Sequence, residues 1–157
     1  MSVDANMFRQ TLGRFASGVT IVTMSCDGHI SGLTVSAFCS LSLEPPRILV
    51  CIDKNSLNTA YIRKSGIFAV NILHEEQSNL SSHFARKTKD KFCGVAYHLG
   101  NLGLPLLDEA LCTLECKLVQ EVDGGDHFIY IGVIEHANFD ASKRPLLYYR
   151  GNYGKFS

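Results

Sequence analysis

GVTIVTMSCDGHISGLTVSAF, residues 18–38, is the stretch that decides the fold. Its first half is a run of β-branched residues, the composition of a strand. Asp27-Gly28 then supplies two residues that tolerate the positive φ of a tight hairpin turn. HISGLTVSAF, residues 29–38, returns as the partner strand. The text therefore predicts an antiparallel hairpin and not the start of a βαβ unit. Consistently, no GxGxxG follows the first strand and no Walker sequence occurs anywhere.

The rest of the chain reads outward from this hairpin. Upstream, Phe8, Leu12 and Phe15 lie at helical spacing and Gly18 acts as a stop. Downstream, RILVCID (47–53) is continuous enough in apolar residues to predict a buried strand. A short helix over 56–65 follows, capped by Asn55 or Ser56 and ended by Gly66. IFAVNIL (67–73) is a strand, HEEQSNLSSHFARK (74–87) a helix, and residues 88–110 an irregular crossing. LECKLVQEV (114–122), a GGD turn, and HFIYIGVIEHANF (127–139) form a second long hairpin. PLLYYRG (145–151) is a last short strand. Hairpin-connected strands with few helices predict one mainly β domain over 1–157, an antiparallel barrel with short helical decorations.

Composition narrows the function. Fifteen Lys and Arg balance fifteen Asp and Glu, so no strong field points to nucleic acid or to a membrane surface. No apolar run has the length of a membrane span, and the first residues lack a basic-then-apolar signal segment. A cytoplasmic location is the expectation. The six cysteines form no CxxC and no zinc-like or iron–sulfur spacing, so no metal is expected. Cys112 and Cys116 would share one strand face, for which core packing is the simpler account.

Four polar clusters interrupt the apolar text. Thr34, Ser36 and Ser40 would share one strand face with Phe38, a row of hydroxyls suited to a polar ring edge, to a phosphate, or simply to water. Asp53, Asn55 and Ser56 stand where a strand runs into a helix start, which is either a seat for phosphate or an ordinary cap. Ser81, Ser82, Phe84, Ala85, Arg86 and Lys87 combine hydroxyls, an aromatic ring and two cations, in a phosphate site or a solvated helix end. Gly125-Asp126-His127 puts a histidine at the first position of a strand, on the surface or aimed into a cleft.

Taken together, FRQTLGRFASGVTIVT (8–23), GLTVSAFCSLSLEPPRILVCID (32–53), FAVNIL (68–73), SSHFA (81–85), GDHFIYIGVIE (125–135) and LLYYRGNYG (146–154) resemble the flavin reductase family. Its members have the FMN-binding split-barrel fold and serve as reductase components of two-component flavin monooxygenases. The resemblance implies an NAD(P)H:flavin oxidoreductase, with FMN or FAD and NADH or NADPH as ligands. The absence of an arginine cluster for a 2′-phosphate leans toward NADH. Thr34, Val35, Ser36 and Ala37 match the segment that holds the flavin ring edge, and Ser40 matches a hydroxyl near the ribityl phosphate. Cys51, Asp53, Asn55 and Ser56 match a second flavin-contacting segment, and Asn71 a polar residue in the following strand. Ser82, Phe84, Ala85, Arg86 and Lys87 match the phosphate and ring side. His127, carried as the catalytic residue, matches the nicotinamide side, and Tyr149, Arg150 and Tyr153 border the nicotinamide nucleotide. A homodimer and a separate flavin-dependent monooxygenase are the implied partners. The rival readings are a flavin-retaining electron-transfer protein or ferric-chelate reductase, a relative of pyridoxamine-phosphate oxidase, and a non-catalytic flavin- or haem-binding module.

Overall fold

The computed structural model describes residues 2–157. Three short helices and twelve strands follow one another as α1 (Ala5–Leu12), β1 (Ser17–Gly18), β2 (Thr20–Cys26), β3 (His29–Val35), β4 (Phe38–Ser42), β5 (Arg47–Asp53), α2 (Asn58–Ser65), β6 (Ile67–Ile72), α3 (Ser78–Phe84), β7 (Tyr97–Leu99), β8 (Pro105–Leu107), β9 (Cys112–Asp123), β10 (His127–Phe139), β11 (Leu146–Tyr149) and β12 (Asn152–Lys155). Among the described residues, no helix is long and apolar enough to cross a membrane.

Seven strands form one antiparallel sheet in the order β3-β2-β6-β9-β10-β5-β4. Its two edge strands are consecutive in the chain and joined only by Ser36 and Ala37. So short a link forces the edges together: β3 touches β5, and the Cys51 N–H donates to the Ala37 carbonyl at 3.0 Å. The sheet therefore curls into a barrel that stays split between β3 and β4. The hairpin that opens this architecture forms as expected, with Asp27 and Gly28 both at positive φ and Cys26 paired with His29.

Inside the barrel, Val22, Met24, Val35, Ile48, Val50, Ile52, Phe68, Val70, Cys116 and Tyr130 pack together, and Ile62 of α2 joins them. A second cluster lies outside, where Val19, Ile21, Leu73, Phe84, Phe92, Leu107 and Leu146 cover the opposite face. Strands β2 and β6 are thus buried on both faces. β5, read as fully buried, instead alternates: Ile48, Val50 and Ile52 face inward, while Leu49 and Cys51 are half-buried outside. Gly132 sits at a register shift in β10, where an added Cβ would meet the Phe68 ring at 2.6 Å and the Cys116 Cβ at 2.9 Å. Burial pushes the Cys116 thiol up to about 12, so it behaves as an apolar side chain. All six cysteines are free, and no metal-ligating cluster of His, Cys, Asp or Glu exists among the described residues.

Several element bounds differ from the reading of the sequence. α1 begins earlier, because the Asp4 carboxylate accepts the Met7 N–H and caps it, and it ends at Gly13 rather than Gly18. α3 shrinks to residues 78–84, since the Gln77 side chain takes the His74 N–H and holds the acidic segment as a turn. The crossing at 88–110 contains the β7–β8 hairpin. The C-terminal strand is followed by another, β12, across a two-residue turn in which Arg150 and Gly151 both have positive φ. β11 pairs with β1 on one side and β12 on the other in a separate three-stranded sheet.

Candidate functional site

The split in the barrel leaves backbone unpaired. Neither the Ser36 nor the Ala37 N–H donates to a protein acceptor among the described residues, and both residues are exposed. Val35, the last residue of β3, is buried in the barrel interior and pairs with Thr20. The expected row of hydroxyls on one strand does not form, because the chain leaves one sheet edge at Val35 and joins the other at Phe38. Thr34 turns its hydroxyl to the Ser81 carbonyl (2.6 Å), tying β3 to α3. Ser40 stands exposed on β4 opposite Ile48.

On the β5 side of the link lie Cys51, Asp53 and His127. Asp53 and His127 face each other across the β5–β10 ladder, both on the outer face. The loop after Asp53 is preorganised: the Asp53 carboxylate accepts the Asn55 N–H at 2.8 Å, and its carbonyl accepts the Ser56 N–H. The Ser56 hydroxyl accepts from the Asn58 backbone and side-chain nitrogens, and the Ser56 carbonyl from Thr59 N, so Ser56 closes the turn leading into α2, although the N-cap position falls on Leu57 and not on the expected Asn55 or Ser56. The His127 Nδ1 lies 2.8 Å from the Asp126 carboxylate, leaving Nε2 without a protein partner. The imidazole holds the Asp126 carboxyl below the usual carboxylate range.

On the β3 side lie α3, the loop behind it and the C-terminal hairpin. Ser81 is buried and its hydroxyl meets the Tyr153 phenol at 2.6 Å. Thr34, Ser81 and Tyr153 are therefore one hydrogen-bonded chain joining three segments distant in sequence. Ser82, Ala85, Arg86 and Lys87 are exposed, and neither cation pairs with a carboxylate among the described residues. Tyr149, Arg150 and Tyr153 are exposed on the β11–β12 hairpin.

Two expected contacts lie elsewhere. Asn71 is fully buried in the outer layer of the sheet, with its amide engaged by Ile21, Thr23 and Leu107. Phe84 is also fully buried, against Gly32 and edge-on to Phe92. Reading the motif by residue type missed Lys91. Its ammonium donates to the Phe84 and Gly32 carbonyls at 2.9 and 3.0 Å, and the Lys91 carbonyl meets His83 Nε2. This clamp closes the base of the loop that displays Arg86 and Lys87. Burial lowers the Lys91 pKa, and no carboxylate compensates. Among the lysines of KTKDK nothing in the text singles this one out.

A family profile described as "Flavin reductase like domain" matches residues 12–157. The chain belongs to this family. HsaB, the reductase subunit of a flavin-dependent monooxygenase of Rhodococcus jostii, is 41% identical over 152 residues, covering 97% of this chain and 78% of that protein. The crystal structure of nitrilotriacetate monooxygenase component B from Mycobacterium thermoresistibile superposes with a TM-score of 0.93 at 39% identity, over 97% of this chain and 86% of that one. The NADH:FAD oxidoreductase of Streptomyces globisporus, solved with NAD and FAD fragments, gives 0.94 at 32% identity, over 100% and 97%. The flavin reductase-like split barrel expected from the sequence is therefore the fold of this protein. The relative of pyridoxamine-phosphate oxidase is set aside on the same ground.

In this flavin reductase-like domain His127 stands apart from the Ser81–Tyr153 side, across the link. We expect His127→Ala to raise the KM for NADH about tenfold while flavin affinity stays near wild type, because a side chain serving one ligand affects only that ligand's binding. Steady-state kinetics and a flavin titration check this; an unchanged KM in a folded variant refutes it.

Proposed function

We propose that this protein is an NAD(P)H:flavin oxidoreductase that supplies reduced flavin to a separate monooxygenase. The observation carrying the reading is the open donor edge at Ser36 and Ala37, flanked by His127 on one side and the basic loop on the other. Free N–H groups, hydroxyls and unpaired cations are the donor set that an acceptor-rich ring with a phosphate tail requires, so the residues fit FMN or the FMN half of FAD. The chemistry supplied by the bound pair is transfer of a hydride from reduced nicotinamide to flavin.

The chain's own contribution is positioning. The Ser36 and Ala37 N–H groups and the Thr34–Val35 backbone would orient the ring edge, and donors there favour the negative charge that accumulates on reduction. Ser40, Asn55, Ser56, Ser82, Arg86 and Lys87 would hold the phosphate. Cys51 and Asp53 would border the ring, with Ala85 beside the basic loop. His127 Nε2 would meet the nicotinamide nucleotide together with Tyr149, Arg150 and Tyr153. Asn71 and Phe84 support this arrangement from the core.

The protein works as a homodimer in this reading. Leu49, Ile129, Ile131 and Val133 occupy adjacent outward positions of β5 and β10, and Leu41 adds an exposed apolar side chain on β4. A second copy would cover this face next to the split.

The test offers FMN, FAD and riboflavin separately in NADH oxidation, then separates the protein from a reduced-flavin acceptor by a semipermeable membrane. The rate is expected to saturate with free flavin, and the acceptor is expected to be reduced across the membrane. Acceptor reduction that demands direct contact and ignores added flavin would identify an electron-transfer protein instead.

A further inference from the structure

Ser81 is only 1% exposed in the middle of α3, while Ser82 beside it faces solvent. Its carbonyl accepts two bonds, from the Thr34 hydroxyl at 2.6 Å and from the Ala85 N–H at 3.1 Å. Its hydroxyl meets the Tyr153 phenol at 2.6 Å and no other group among the described residues. One residue is thereby tied to the strand that runs into the donor edge, to the base of the basic loop and to the C-terminal hairpin. A hydroxyl so buried meets no ligand arriving from solvent. Burial therefore separates Ser81 from the exposed cluster of Ser82, Arg86 and Lys87.

Strand β12 depends on this bond for its placement. All four of its residues are exposed, so packing holds it weakly. Outside its ladder with β11, two side-chain hydrogen bonds join it to the rest of the protein among the described residues, Tyr153 with Ser81 and Lys155 with Glu76. The second is a solvent-exposed ion pair, a kind that contributes little. The first has a buried partner, and the Tyr148 ring meets the Tyr153 ring edge-on at 5.4 Å. Ring contact and hydrogen bond together fix the direction of the phenol. A phenol can both donate and accept, so Tyr153 keeps hydrogen-bonding capacity for a ligand after Ser81 has taken its share.

We propose that Ser81 is a positioning residue for the nicotinamide nucleotide. It touches neither ligand and acts through Tyr153, whose phenol it holds in place. The inference rests on the proposed function, in which Tyr153 meets that nucleotide.

Steady-state NADH oxidation at saturating FMN tests it in wild type, Ser81→Ala, Tyr153→Phe and the double variant, with FMN affinity taken from a separate titration. Alanine suits a helix and leaves the phenol free to bond to water, so Ser81→Ala is expected to fold. It is expected to raise the KM for NADH about fivefold, the worth of one hydrogen bond, with kcat and FMN affinity near wild type. Tyr153→Phe is expected to raise that KM at least as much. The double variant is expected to match Tyr153→Phe, because Ser81 acts only through the phenol that this change has already removed. A wild-type KM in either single variant, losses that multiply in the double variant, or equal losses of FMN and NADH binding from Ser81→Ala overturn the inference. Absence of NADH oxidation by the wild type with FMN, FAD or riboflavin is a different result, which overturns the proposed function itself and this role with it.

Discussion

Asn71→Ala is expected to cost about 3 kcal/mol of stability while leaving the flavin selectivity of the folded protein unchanged. The side chain lies on central strand β6, where Nδ2 donates to the Ile21 carbonyl (3.0 Å) and to Thr23 Oγ1 (3.2 Å), and Oδ1 accepts the Leu107 N–H (2.9 Å). Thr23 in turn donates to the Pro105 carbonyl at 2.6 Å. These bonds fasten β8 to the outside of the sheet. Alanine leaves a buried N–H without an acceptor, which alone costs roughly 1–3 kcal/mol, and the lost volume adds a cavity term. Urea unfolding of wild type and variant measures the difference. A change below about 1 kcal/mol would show that the network is dispensable.

The same residue shows why the fold was more legible than the site. Strand and hairpin signals are backbone properties carried by local residue types. Accordingly, β5 and β10 appear with the bounds read from RILVCID and HFIYIGVIEHANF, and the Asp27-Gly28 turn forms. Elements were misjudged where a single side chain decided the matter. Asp4 started α1 early, Gln77 delayed α3, and the Arg150-Gly151 turn, lacking an Asn-Gly or Asp-Gly signal, hid β12. A site depends on the direction of each side chain, which a motif does not encode. Thr34, Val35 and Ser36 are consecutive in the text, yet one bonds to α3, one fills the barrel and one stands free at the split. Phe84 and Arg86 are two residues apart, one in the core and the other in solvent.

The largest effect on ligand binding is expected from the basic loop. Arg86→Ala/Lys87→Ala should weaken FMN binding by about 3 kcal/mol, close to a hundredfold, if each cation makes a charge-assisted bond to the phosphate. Riboflavin has no phosphate and should bind the variant as it binds wild type. The contrast is sharp because both side chains are exposed and free of carboxylate partners, so their removal breaks no ion pair within the protein. Lys91 offers an independent check on the same geometry. It is half-buried, and its ammonium donates to the Phe84 and Gly32 carbonyls and so fixes the base of the loop. Lys91→Met should therefore show the same preference for losing FMN over riboflavin, at a smaller magnitude, because the cations remain but their placement loosens. Fluorescence titration of both flavins against the three proteins measures all of this. Equal losses for FMN and riboflavin in the double variant would remove the phosphate from the loop and leave the Asn55–Ser56 turn as its seat.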